Sequence, residues 1–376
     1  MASTGAKKTG SKKTAAREDP LAELRATIDE INGAIVRLLA ARAQAAQRIG
    51  HLKQRDGAPI VQPAREREVL ERVVALNPGP LGADHLRRIF TEIISACTAL
   101  ERTIRVAYLG PEHTYSHEAA RLRFGASAGF IPQSSIAAVF AALDNERAEY
   151  GVVPVENSTE GSVSLTLDLL IDTSMVIVGE ILLPIRHALM SREGDPAALA
   201  RVVSHQQSLG QCRDYLAANL PHCELEAVSS NSQAARMAAS DARLGAIASV
   251  AAAKAHELKI IAENIQDVAH NTTRFLVIGQ HPVARSGADK TSLLFAVPER
   301  AGALHDALSL FARNRINLTM IQSRPQRGRQ WAYIFFVDLQ GHRDDARLKR
   351  ALAALERRAL FLKVLGSYPE GRAAGG

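Results

Sequence analysis

The chain has 376 residues, 47% hydrophobic and 23% charged, the composition of an ordinary globular protein of two to four domains. Its formal charge of +7 overstates the basic surface, because Lys7, Lys8, Lys12, Lys13 and Arg17 form an acid-free N-terminal stretch; with aromatics at 5%, a nucleic-acid platform is not expected. Cys97, Cys212 and Cys223 lack CxxC spacing, which fits a reducing cytoplasm and argues against disulfides or zinc, and no run approaches the ~18 apolar residues of a membrane helix.

Residues 1–18 read as a disordered basic tail. Residues 19–103 read as all-helical. Asp19-Pro20 is a start signal, with Asp as N-cap and Pro at the first helical position. Apolar residues then recur at alternating steps of three and four (Leu21, Leu24, Ile28, Ile31, Ile35, Leu38, then Ala45, Ile49 and Leu52), a heptad seam predicting one helix of about 50 Å. A second helix is expected after Pro63, ending at Asn77-Pro78-Gly79, and a third from near Asp84 to Glu101.

Residues 104–282 change to short apolar runs alternating with helical stretches, an α/β pattern with largely parallel sheets. Strands are expected at 104–109, 151–155, 175–183, 201–204, 224–228, 244–248, 258–262 and 274–279. Polar clusters follow several strand ends, where such sheets bind ligands: Gly110 to His117, Glu156 to Ser162, and Ser204 to Gln211. After a linker punctuated by Pro, Gly and Ser, residues 290–368 read βαββαβ, the split ferredoxin-like α+β unit typical of regulatory modules.

Arg42 interrupts the heptad seam. It either sets register, snorkels outward, or lines an anionic pocket. Arg42 and Lys53 are about 16 Å apart along the helix and only ~20° apart around it, so both can reach one small dianion. Arg25 is about 25 Å from Arg42 and on another face, so it joins them only from a second copy of the chain. Arg65 and Glu66 open the second helix with a further cation and carboxylate.

On Arg25 in "LR", Arg42 in "LLAAR", Lys53 in "HLK" and Arg65-Glu66 in "AREREVLERV", the N-terminal segment resembles the intertwined helical chorismate mutases. The central segment resembles prephenate dehydratases through Thr273-Arg274-Phe275, "YLGPEHTYSHEAA", "VPVENSTEGSV" and "SHQQSLGQC". The last resembles ACT domains through Gly302-Ala303-Leu304 and Gln322-Ser323-Arg324-Pro325. Order and coverage are those of the bifunctional mutase–dehydratase family of phenylalanine biosynthesis. The resemblance implies a homodimer, a two-lobed dehydratase body like that of periplasmic binding proteins, and no cofactor. It implies chorismate and prephenate as substrates and phenylalanine as inhibitor. It further implies Arg25, Arg42, Lys53, Arg65, Glu66 and Glu101 in mutase catalysis, and Thr273 assisting departure of the ring hydroxyl. Gln62 and Cys97 would contact chorismate; Asn157, Ser204, Gln211 and Arg274 would orient prephenate.

This sequence departs from the family pattern at Gln62 (a carboxylate), Cys97 (Ser), Glu101 (Gln, so that Glu must be protonated to donate), His113 (Gly), Gln206 (Pro) and Gln322 (Glu). Two other readings stand: a ligand-sensing regulator built on the same folds, and an arogenate dehydratase with a decayed mutase.

Overall fold

The computed structural model describes residues 20–56, 62–325 and 333–371, so Asp19 and the basic tail lie outside the described residues. Helix α1 (Pro20–Asp56) is a single element of 37 residues, about 55 Å long, with Pro20 at its first position. Among the described residues its seam has no cover along much of its length: Leu24 is 62% and Leu38 70% exposed. Helices α2 (Pro63–Ala75) and α3 (Ala83–Glu101) follow, α3 packing on both of the others.

The central segment forms two sheets. In chain order the elements are β1 (Arg105–Leu109), α4 (Tyr115–Phe124), β2 (Gly129–Gln133), α5 (Ile136–Asp144), β3 (Tyr150–Asn157), β4 (Gly161–Ser162), α6 (Ser164–Asp172) and β5 (Val176–Pro184). Then come β6 (Ala188–Ser191), β7 (Arg201–His205), α7 (Gln206–Gln211), α8 (Arg213–Asn219), β8 (Glu224–Val228), α9 (Asn231–Ser240), β9 (Leu244–Ala248), α10 (Val250–Ala255), β10 (Lys259–Glu263) and β11 (Thr272–Gly279). One sheet has the order β2-β1-β3-β11-β5, with β4 on β3; the other is β10-β6-β9-β7-β8. The first lobe is therefore left after β5 and regained at β11. The two crossings touch, Ile185 N donating to Asn271 O at 2.8 Å.

Strands β2 and β6 were not expected. "GFIPQ" carries Gly and Pro, and "ALMS" is four residues long, so neither shows a strand period, yet β6 is wholly buried between β9 and β10.

The last segment is β12 (Asp289–Ala296), α11 (Ala303–Arg313), β13 (Leu318–Pro325), β14 (Tyr333–Gln340), α12 (Ala346–Glu356) and β15 (Phe361–Pro369), as βαββαβ predicts. Its antiparallel sheet, β13-β14-β12-β15, buries one face under its own helices. From the other face, Leu294, Phe336, Leu365 and Tyr368 join the core beneath the first dehydratase sheet. Among the described residues no helix is long and apolar enough to cross a membrane.

Candidate active sites

On α1, Arg42 donates from Nη1 to Cys97 Sγ of α3 at 3.0 Å. One turn beyond Cys97, Glu101 lies against Gly50 of α1, where a Cβ would stand 2.5 Å from Glu101 Oε2. The two helices meet there because Gly50 has no side chain. Among the described residues Glu101 Oε2 is buried without a hydrogen-bond partner, a polar atom that calls for an explanation. Lys53, half-buried, follows one turn after Gly50. The structure thus gathers Arg42, Cys97 and Glu101 where α1 crosses α3, next to the turn that carries Lys53. Arg25 is exposed on the distant half of α1.

The opening of α2 departs from expectation. Arg65 is exposed and pairs with Glu68 at 2.6 Å. Glu66 turns to Arg123 of α4, 2.7 Å away, so its carboxylate bridges to the dehydratase segment. Gln62 occupies the N-cap position of α2 without making a side-chain cap.

Between the two dehydratase lobes lies a cleft of about 240 Å³. Thr273 and Asn157 face each other across β11 and β3 in register, and Asn157 Nδ2 donates to Thr273 Oγ1 at 2.8 Å. Gln211, His113, Ser208 and Asn231 also line it. First turns of α4 and α9 open onto it, bringing backbone N–H groups suited to carboxylates. His113 holds φ +63°, the left-handed region, which explains a position where the family often has Gly.

Two expected substrate contacts are corrected. Side chains alternate along a strand, so Thr273 and Arg274 point to opposite faces of β11. Arg274 is buried on the far side, 2.7 Å from Glu180 and 2.6 Å from Asp338, and donates to Tyr368 Oη at 3.0 Å. Among its described lining residues the cleft has no Arg or Lys. Burial opposes the charge on Arg274, but Tyr368, Asp338 and Glu180 together hold its pKa above the ordinary arginine value. Ser204 is also wholly buried; its hydroxyl donates to Ile247 O at 2.7 Å and lies 3.0 Å from Asn231 Oδ1, so it supports Asn231 behind the cleft wall.

Sequence reasoning missed Tyr115, His187 and Asn271. Tyr115 Oη lies 3.0 Å from His187 Nδ1, His187 Nε2 lies 2.9 Å from Gln211 Oε1, and Asn271 Nδ2 donates to Gln211 Oε1 at 2.9 Å. No local pattern singled out His187, because β6, the strand it precedes, shows no period of its own.

In the last segment, Gly302 caps α11 with φ +79°, a conformation that calls for glycine ahead of Ala303 and Leu304. Gln322, Ser323, Arg324 and Pro325 end β13 instead of forming a loop after it. Gln322 Oε1 accepts from Ser162 Oγ at 2.6 Å, and Arg324 pairs with Asp168 of α6 at 2.9 Å and donates to Ser164 at 2.8 Å. This motif is docked on the dehydratase body.

Comparison with known proteins agrees with the geometry. Residues 24–102 match the chorismate mutase type II family, 106–283 prephenate dehydratase and 291–357 the ACT domain. A bifunctional chorismate mutase/prephenate dehydratase of Aquifex aeolicus is 46% identical over 94% of this chain and 98% of its own length; that of Pseudomonas aeruginosa is 42% identical over 94% and 99%. A prephenate dehydratase from Arthrobacter aurescens, solved in complex with L-Phe, superposes with a TM-score of 0.66 at 32% identity, covering 71% of this chain and 90% of that one. Three matched segments in this order, and relatives aligned over nearly their whole length, show that the chain belongs to the bifunctional chorismate mutase/prephenate dehydratase family, an enzyme of phenylalanine biosynthesis with both activities and an ACT domain on one polypeptide.

Proposed function

We propose that the protein works as a homodimer, rearranging chorismate at the α1–α3 crossing and converting prephenate to phenylpyruvate in the two-lobed cleft. The rearrangement is unimolecular and needs no nucleophile. It needs a compressed conformer of a dicarboxylate, and a donor to the ether oxygen as charge develops there. Arg42, and Arg25 lent by a second copy, hold carboxylates; Lys53 and Glu101 serve the ether oxygen. The exposed seam of α1 supports the second copy, since apolar patches of that extent mark interfaces.

In the cleft, one observation carries the reading: Thr273 Oγ1 accepts from Asn157 and keeps its own proton for a ligand. Prephenate's ring hydroxyl leaves as water, taking up one proton, while the electron pair of the C–CO₂⁻ bond completes the aromatic ring and CO₂ departs. Thr273 guides the leaving oxygen as a hydrogen-bond donor. Its hydroxyl is too weak an acid for more. Carboxylates are met by N–H groups and hydroxyls at the starts of α4 and α9, because Arg274 faces away.

Phenylalanine is the ACT effector in this reading, held by the Gly302–Leu304 and Gln322–Pro325 segments. Binding there bears directly on Ser162 and Asp168 of the dehydratase body. Purified protein given chorismate, prephenate or arogenate in separate reactions tests the assignment. Phenylpyruvate from the first two, suppressed by phenylalanine, is expected. Turnover of arogenate alone would make the mutase a relic.

A further inference from the structure

We infer that His187 is a positioning residue of the dehydratase, acting through Gln211, Asn271 and Asn157 to leave the Thr273 hydroxyl proton free for substrate. The inference rests on the reading of Thr273 as donor to the leaving oxygen.

The argument is one of hydrogen-bond polarity. Backbone N–H groups of Thr159 and Glu160 donate to Asn157 Oδ1 at 3.0 and 3.2 Å. Such donors cannot be inverted, so that atom is the oxygen, and Nδ2 faces Asn271 Oδ1 and Thr273 Oγ1, each 2.8 Å away. Both amide protons of Asn157 are then used. Asn271, its oxygen already accepting, presents Nδ2 to Gln211 Oε1. Gln211 Nε2 in turn donates to Glu160 Oε1 at 3.0 Å. The ring nitrogen of His187 facing Gln211 Oε1 must therefore carry hydrogen, which makes the neutral ring the Nε2–H tautomer. Its bare Nδ1 lies 3.0 Å from Tyr115 Oη, whose one proton it shares with Arg186 O at 2.8 Å.

From His187 Nε2 to Asn157 each amide has one orientation, and the chain ends at Thr273, whose oxygen is occupied as acceptor and whose proton is not. Location adds weight. His187 stands on the outgoing crossing between lobes and Asn271 on the return, while Gln211 belongs to the second lobe and Asn157 to the first. His187 N donates to Gln266 Oε1 at 3.0 Å and His187 O accepts from Ile265 N at 3.0 Å, which fixes the ring's backbone on the returning crossing. The imidazole is 1% exposed, and burial lowers its pKa, favouring the neutral ring. Remove the Nε2–H, and Gln211 is free to turn its amide and Asn271 to follow. Asn157, still held at Oδ1 by the two backbone N–H groups, loses the acceptor for one Nδ2 proton and is drawn off Thr273 Oγ1. The Thr273 hydroxyl then loses the donor that fixes where its proton points.

The test is steady-state turnover of prephenate by the full chain, with mutase activity reporting the fold. His187→Gln places an amide N–H near the Nε2 position; His187→Asn reaches only the Nδ1 position. His187→Asn should lose about 10²-fold in kcat, with KM within about threefold of wild type. His187→Gln should stay within about threefold of wild-type kcat. Wild-type kcat in His187→Asn, or equal losses in both variants, would overturn the proposal. Should His187→Asn lose mutase activity too, Asn271→Asp replaces it, since it exchanges the donor toward Gln211 for an oxygen at equal size. It should show the same kcat loss, and wild-type kcat there would be equally fatal. Thr273→Ala separates the premise from the inference: activity in that variant removes Thr273's role itself, whereas its inactivity beside an active His187→Asn sinks only the role of His187.

Discussion

Arg274 Nη1 lies 2.6 Å from Asp338 Oδ2, so the residue that follows Thr273 is ion-paired to a strand of the ACT sheet. Glu180 of β5 completes the bridge, 2.7 Å from both Arg274 and Lys290 of β12. Two carboxylates and two cations are buried where the dehydratase and ACT sheets meet. Such a cluster adds less stability than apolar packing of the same volume would, but losing one member leaves an uncompensated charge.

Glu180 carries a pH signature. Burial pushes its pKa up, but Arg274 and Lys290 outweigh that and hold it below the ordinary 4.5. A depressed folded value means that its contribution is complete above about pH 4.5 and lost as pH falls through the lower folded value. Glu180→Gln should cost about 3–5 kcal/mol near neutral pH. Its stability should also vary less than wild type's between about pH 5 and pH 3. Denaturant unfolding across that range checks both; parallel curves would remove Glu180 from acid sensitivity.

At Gly50 two effects oppose each other. Alanine gains about 1 kcal/mol of helix propensity over glycine. Its Cβ would nevertheless fall 2.5 Å from Glu101 Oε2 and 2.6 Å from Glu101 Cγ. Glu101 sits on the helix end and can swing aside, so Gly50→Ala should unfold within about 1 kcal/mol of wild type. Mutase turnover should fall about tenfold or more, because Glu101 leaves the site. Full mutase activity with intact stability would show that Glu101's position is immaterial.

If Arg25 is lent across a dimer, Arg25→Ala and Arg42→Ala chains should each be inactive as mutases alone. Mixed and allowed to exchange, half of the dimers become heterodimers, each with one intact site and one doubly damaged. About a quarter of wild-type mutase activity should return. No recovery, with exchange shown by tagged copies, would place Arg25 outside the site.

Much of this was legible in the sequence. The heptad seam from Leu21 to Leu52 specified α1 and its unmet partner face, and βαββαβ specified the ACT topology. Thr273 and Asn157 emerged as cleft residues and face each other as neighbours. Arg274 did not, although a period of two along β11 already separates it from Thr273; reading three residues as one motif hid the alternation. Ser204 was expected as a substrate contact from the family resemblance, and only the three-dimensional contacts place it behind Asn231. The link from Tyr115 to His187 spans 72 residues and depends on two lobes meeting, a non-local contact that no local pattern encodes.

The most direct measurement follows chorismate through wild type and Thr273→Ala side by side. Wild type should consume chorismate and release phenylpyruvate. Thr273→Ala should consume chorismate at a similar rate and stop at prephenate, its dehydratase turnover down about 10²-fold or more. Phenylpyruvate from the variant at the wild-type rate, or loss of both activities in a folded variant, would contradict two separate sites with Thr273 at the centre of the second.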